Sequence, residues 1–429
     1  MPGDFMDCSK LKNPTAQVLI AIIAGISLGM FVRSPMGAGT FDPASIGQIG
    51  MLIIRFLKAL AVPLIFFAVA DVIIRTDLSR GSGIKFLGIC LFNSSIACLV
   101  ALTLVDIFHP GLAWQGNIEM LMRDIGAVNP SRLAPEKTQM SWIQGLSGVL
   151  PQHLLEPIQT NNILSSVILA VLLGSAIRSL RKESSGHELE IMDHAAKVVS
   201  AGFLIFSRML RFTIHLAPVA VLALVTQAVG SLGPGIFRDL LDFLLTVSTG
   251  LIIQGLIYYP LVVWLVGKRS PIAYLKGAAE AVWTGFALNS SLATVPVTLK
   301  CLARMKVDDQ AARVSVCGGT NFNNDGVILY EVMTALFLAQ AMGVSLDLSQ
   351  QVVVAVSSII AAAGIAGVPE AGLVILPIVL ANSGFPDAAI AAAIPLVSPV
   401  DWILARCRSG VNVLGDMLGA IILSRWLKR

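Results

Sequence analysis

The last apolar segment of the chain carries Asp401, Ala405, Arg406, Arg408, Ser409, Asn412 and Asp416 within sixteen residues. Wound as an α-helix at about 100° per residue, Asp401, Ala405, Arg408, Asn412 and Asp416 fall on one narrow stripe. A charged side chain at the centre of a bilayer costs at least ~2.5–3.5 kcal/mol, so a polar stripe on an apolar helix implies a cavity, charged neighbours or both. A guanidinium presents a planar fork to a carboxylate, which makes Arg408 the candidate anchor for a small anion. The competing reading is structural: Arg408 and Asp416 neutralise charges on neighbouring helices. Arg406 points off the stripe, as a second cavity wall or as half of a structural ion pair.

Three further places interrupt apolar sequence with small and polar residues: Leu288 to Pro296, Asn321 to Gly326, and Ala361 to Gly372. Irregular backbone at membrane depth survives only when buried in protein or lining a cavity, because an unpaired amide in lipid costs several kcal/mol. Breaks in matching places of two half-repeats point to a transporter site built from re-entrant hairpins.

These residues must be positioned by a chain made for lipid. Of its 429 residues 55% are apolar and 13% charged, and the mean hydropathy is +0.80. Soluble domains carry about a quarter charged residues, so a water-soluble globule is excluded, as is disorder. The net charge of +4 is no sign of nucleic-acid binding, since the basic residues are scattered between apolar runs. The six cysteines form no CxxC pair and read as free, buried thiols.

The first apolar run, between Pro14 and Arg33, is about 18 residues long, the minimum for a span, and reads as a retained helix. Further spans read from about Ile49 to Ile74, between Lys85 and His109, and near 162–177, 195–229 and 239–266. The stretch 110–160 reads as an irregular external excursion. Four units follow: 1–109 with spans one to three, 110–160, 161–267 with spans four to six, and 268–429 as a transport core. Every second junction is basic (Lys10 and Lys12; Arg75, Arg80 and Lys85; Arg178, Arg181 and Lys182; Lys268 and Arg269). The positive-inside rule then places both termini in the cytoplasm, in a plasma (inner) membrane.

The chain resembles the glutamate transporter family, the dicarboxylate/amino acid:cation symporters, over nearly its whole length. The resemblance rests on Ser290-Ser291 with Ala293-Thr294-Val295-Pro296, on Asn323-Asn324-Asp325-Gly326, on Gly367-Val368-Pro369, and on Arg408 to Asp416. Leu216-Ala217-Pro218 and Leu60 to Pro63 agree with it. It implies an all-α membrane protein of eight transmembrane helices plus two re-entrant helical hairpins, a homotrimer, and elevator movement of a transport domain against a scaffold. Within the family the chain looks most like the branch of excitatory amino acid transporters: Arg406 and Tyr330-Glu331 match that branch. Asn289 stands where archaeal relatives keep an arginine. The matching glutamate there carries a proton, which makes Glu331 the proton-coupling candidate; a carboxyl in an apolar span has its neutral form favoured. The alternative is a glutamate paired with a cation such as Arg406.

The same resemblance implies a substrate site of Arg408, Asn412, Ser409 and Ala405 with the hairpin tips Ser290, Ser291, Gly367 and Val368. It implies one sodium site at Asp416, Asn412, Gly319 and Asn323, and another at Asp325, Ser94, Ser95 and Asn323. Relatives form a third with hairpin carbonyls and a methionine that Asn324 replaces here, and Asn321 and Val327 also depart from the pattern. Sodium is the expected coupling ion and the proton a second candidate; no organic cofactor is called for. The partners expected are a small anionic substrate, membrane lipid and two further copies of the chain.

In relatives that carry amino acids an aspartate at the position of Ala405 receives the substrate ammonium. An ammonium buried without a counter-charge loses roughly 2–5 kcal/mol, ~30-fold or more in affinity. Ala405 therefore favours symport of an amine-free diacid such as succinate, malate or fumarate. The alternative is glutamate or aspartate, with Asp401 or Glu370 supplying the missing charge. Two remote alternatives are an anion channel and an intramembrane aspartyl protease using Asp325 and Asp416. The latter lacks the second Gly-x-Gly-Asp motif, because Val413-Leu414 precede Gly415-Asp416.

Overall fold

A computed structural model describes residues 14–33, 42–75, 82–115, 153–159, 163–364, 371–385 and 387–427. Among these, every regular element is helical. The helices are α1 Pro14–Arg33, α2 Pro43–Arg75, α3 Ser82–Phe108, α4 Glu156–Gln159, α5 Ile163–Glu183, α6 His187–Ile214, α7 Ala217–Leu232 and α8 Ile236–Asp239. Next come α9 Leu241–Ile252, a π-helical turn Ile253–Tyr258, α10 Tyr259–Leu265, α11 Pro271–Leu288, α12 Ser291–Arg304, α13 Asp309–Phe322, α14 Asp325–Ala341, α15 Leu348–Gly364, α16 Ala371–Asn382 and α17 Asp387–Leu427.

Two packing groups emerge. α1, α2, α5, α6 and α7 pack mainly on one another, whereas α3, α9 and α10 join α11 to α17 around the long closing helix. The groups touch where α17 meets α7 and where α15 and α16 meet α2. Among the described residues three segments are long and apolar enough to cross a bilayer: Gly83–Phe108, Leu241–Leu265 and Leu396–Leu427.

The first hairpin is formed by α11 and α12, which pack together. Its turn is two residues: Asn289 takes a left-handed conformation (φ 49°), which asparagine tolerates, and Ser290 caps α12 by accepting from Ala293 N at 3.1 Å. The 14 residues of α12 span about 21 Å, short of the ~30 Å hydrocarbon core, so this arm turns back before crossing. α15 and α16 pack as a second pair; their tip, with Gly367, Val368 and Glu370, lies outside the described residues. Between the hairpins the chain unwinds at Asn323 (φ −113°) and Asn324 (φ −96°), separating α13 from α14.

Three sequence expectations need correction. The stretch 195–229 is not one helix: α6 stops at Ile214 and α7 starts at Ala217, because Pro218 has no N–H to continue the ladder. The excursion 110–160 is ordered at its start. Gly111 N donates to Gln340 Oε1 at 3.0 Å, and Trp114 is fully buried with its ring 6.3 Å from that of Phe337; residues 116–152 lie outside the described residues. Finally, Cys90, Cys98 and Cys301 are free and buried as expected, but Cys317 is exposed.

Candidate substrate and cation site

α17 presents its polar stripe to the first hairpin, to the broken helix α13–α14 and to α16. Arg408 is paired there. Its Nη1 and Nη2 donate to Asp401 Oδ1 and Oδ2 at 2.7 and 3.2 Å, and both side chains are at least 98% buried. The guanidinium carbon lies 3.8 Å from the centre of the Tyr330 ring. Gly372 on α16 is needed for this approach, since a Cβ there would come within 2.8 Å of the guanidinium. Asp401, two turns earlier on the same face, holds the guanidinium in this structure, because a buried guanidinium requires a counter-charge. Two of its five N–H donors are committed to Asp401.

Around this pair lie the other predicted contacts. Ser409 Oγ donates to Asn289 Oδ1 at 3.2 Å, joining α17 to the first hairpin tip. Ser291 Oγ is buried with no hydrogen-bond partner among the described residues, whereas Ser290 is committed to its cap. Ala405 is buried and offers no polar group. Asn412 Oδ1 accepts from Gly326 N at 2.9 Å, and its Nδ2 donates to Asn324 Oδ1 at 3.2 Å. Glu331 is fully buried and, among the described residues, neither carboxyl oxygen has a hydrogen-bond partner; the charges that act on it there are those of Arg408 and Asp401. Arg406, also buried, donates to Trp402 O one turn before it.

Two buried carboxylates, Asp416 and Asp325, stand at the predicted cation positions with no basic partner among the described residues. Asp416 accepts from Asn323 Nδ2 at 3.3 Å, and Asn323 Oδ1 beside it has no partner among the described residues. Gly319 lies against it: a Cβ there would come within 2.0 Å of Asp416 Oδ1. Asp325 accepts from Ser94 Oγ at 2.9 Å and from Tyr259 Oη at 2.7 Å. Clustered neutral oxygens around a carboxylate suit a hard cation, and the unpartnered Asn323 carbonyl fits such a ligand. Ser95 is not brought here. It faces outward and donates to Leu91 O at 2.8 Å, while Asn93 and Ser94 turn inward.

Several residues escaped the sequence reading. Tyr258 Oη donates to Asn93 Oδ1 at 2.8 Å, and Gln254 Nε2 approaches Asn93 O at 3.4 Å. Both come from the π-helical turn, which also sets Tyr259 toward Asp325. Tyr274 Oη holds Leu414 O at 2.7 Å. The one signal for them was the Tyr258-Tyr259-Pro260 run inside an apolar span.

The sequence of this chain is similar to known transporters. The excitatory amino acid transporter 5 of Mus musculus is 27% identical over 95% of this chain and 80% of its own length. The putative sodium-dependent excitatory amino acid transporter glt-4 of Caenorhabditis elegans is 27% identical, covering 95% and 88%. The human excitatory amino acid transporter 3 is 25% identical, covering 95% and 84%. A family model described as the sodium:dicarboxylate symporter family matches residues 15–426. A helical membrane protein whose buried oxygens and closing-helix arginine sit between a hairpin and a broken helix, and which matches that model over nearly all its length, belongs to the sodium:dicarboxylate symporter family.

Proposed function

We propose that the protein is a sodium-coupled symporter of acidic amino acids, aspartate or glutamate. The observation that carries this reading is the buried Arg408–Asp401 pair. A diacid gripping Arg408 adds its two negative charges beside a guanidinium that Asp401 already neutralises. At about 4 Å and an effective dielectric of 20, each added like-charge contact costs roughly 4 kcal/mol. An acidic α-amino acid brings an ammonium with its carboxylates, so the same pair meets both signs: Arg408 takes a carboxylate and Asp401 the ammonium. Asp401 thereby supplies the acid that Ala405 lacks. The names of the similar proteins, all excitatory amino acid transporters, agree with this substrate class.

The second reading, symport of an amine-free dicarboxylate, is favoured by Ala405, whose methyl group offers an ammonium nothing. Ser290, Ser291, Ser409 and Asn412 serve the distal carboxylate in either case, with Gly367 and Val368 at the second tip. Coupling sodium binds at Asp416 with Asn323, Asn412 and Gly319, and at Asp325 with Ser94. Glu331 carries a proton. The chain works as a homotrimer by elevator movement of the α17 group against the α1–α2–α7 group, with both termini cytoplasmic.

The test is proteoliposome uptake of labelled aspartate and labelled succinate under an inward sodium gradient, each challenged with the other. Aspartate uptake that succinate displaces poorly supports the first reading. Concentrative succinate uptake with no aspartate uptake refutes it in favour of the second. Downhill flux of either that ignores the sodium gradient refutes both.

A further inference from the structure

Three backbone carbonyls converge on one side-chain nitrogen in the core. Asn324 Nδ2 lies 3.0 Å from Ala362 O, 3.1 Å from Asn321 O and 3.5 Å from Thr320 O. Thr320 and Asn321 belong to the last turn of α13, and Ala362 to the last turn of α15. Carbonyls in a final turn have no partner within their own helix, and helix C-termini carry the negative end of the macrodipole. Two C-termini meeting at unwound backbone make the kind of oxygen cage in which transporters hold a sodium ion. Here an amide group occupies it.

The orientation of that amide is fixed by its other end. Asn324 Oδ1 accepts from Asn412 Nδ2, and Asn412 is itself oriented by accepting from Gly326 N. A flipped Asn324 would set its oxygen against backbone oxygens and its nitrogen against the Asn412 donor, losing every one of these bonds. The side chain is 1% exposed.

We propose that Asn324 is a built-in, uncharged substitute for a coupling cation: its N–H groups tie α15, through Ala362, to the broken helix, so this junction needs no ion to join its carbonyls. One cation fewer then accompanies each substrate than an empty carbonyl cage would recruit. The inference rests on the sodium coupling of the family and is independent of which acid is carried.

The test uses the purified full-length protein without substrate, so that its result is separate from the substrate question. Melting temperature is followed against sodium chloride at ionic strength held constant with choline chloride; the slope against the logarithm of sodium concentration reports ions bound by the folded state. Asn324→Met and Asn324→Ala each remove the donor and should steepen the slope by about one ion relative to the unmodified protein. Equal slopes in the unmodified protein and in either folded variant overturn the proposal. An experimental map of the unmodified, sodium-loaded protein gives a check that needs no variant. The Asn324 amide within hydrogen-bond distance of Ala362 O is the expected result, and an ion bridging the Ala362 and Asn321 carbonyls overturns it.

Discussion

Replacing Asp401 by asparagine turns the argument about substrate charge into a number. In the unmodified pocket Asp401 lies 2.7 Å from the guanidinium it neutralises, and a substrate carboxylate on the remaining N–H edge of Arg408 would sit about 5 Å from it. At an effective dielectric of 20 this repulsion is roughly 3 kcal/mol, about a hundredfold in affinity. Asp401→Asn removes that repulsion for any anion and also removes the acid that would meet an ammonium. The first change is common to both acids and the second falls on aspartate alone, so the preference for aspartate over succinate should shift toward succinate by roughly one to two orders of magnitude. Truncating one member of a buried pair costs about 3–5 kcal/mol, because it strands the other charge. The variant should therefore melt earlier in the absence of ligand and be rescued more strongly by succinate than the unmodified protein is. The assay is competition against labelled uptake in proteoliposomes, paired with thermal melting with and without each acid. An aspartate-to-succinate ratio unchanged by Asp401→Asn would refute the assignment of Asp401 to ammonium recognition.

Other substitutions probe the ions. Gly319→Ala places a methyl group where Asp416 Oδ1 now lies; overpacking of about 1–3 kcal/mol at that carboxylate should weaken sodium activation of uptake roughly tenfold or more, read from the sodium dependence of initial rates. Ser94→Ala removes a donor from Asp325 and should raise the sodium concentration for half-maximal uptake, whereas Ser95→Ala, facing outward, should leave it unchanged; equal effects would contradict the register of α3. Glu331→Gln tests proton coupling. With Glu331 as the proposed proton carrier, loading would need the neutral carboxyl, so uptake by the unmodified protein should fall as pH rises on the loading side, while the permanently neutral glutamine should give a flat pH profile and no response to an imposed proton gradient.

Much of this architecture is legible in residue order, and what is not has identifiable physical causes. The breaks at Asn289-Ser290 and Asn323-Asn324 stand out because asparagine and serine in apolar surroundings have few reasons to be there except to turn or cap backbone. The polar stripe of α17 follows from helical spacing alone. That Arg408 and Asp401 grip each other does not, since residues seven apart are separated by about 10 Å along the axis and only the bend of a long side chain closes the gap. The inward residue of α3 was misjudged because adjacent serines point about 100° apart and the choice between Asn93-Ser94 and Ser94-Ser95 depends on how α3 packs against α14. The π-helical turn at Ile253–Tyr258 is written in no spacing pattern, so the approach of Tyr258 and Tyr259 to Asn93 and Asp325 could only be seen in three dimensions.

The charges of the core connect the proposals. Among the described residues of the α17 group, the buried ionisable acids and bases are Asp325, Glu331, Asp401 and Asp416 against Arg406 and Arg408. With all of them ionised this core carries an excess of two negative charges. A sodium ion at Asp416, another at Asp325 and a proton on Glu331 turn that excess into a surplus of one positive charge, and an acidic amino acid, with its single net negative charge, brings the loaded core to neutrality. A dicarboxylate would leave it one charge negative, and a further sodium in the cage of carbonyls around Asn324 would leave it one charge positive. Charge buried in a medium of low dielectric is costly in either direction, and the elevator movement proposed above would carry any excess through the depth of the bilayer. The two proposals, an uncharged amide in the carbonyl cage and a monoanionic substrate on the Arg408–Asp401 pair, would thus both answer one electrostatic requirement.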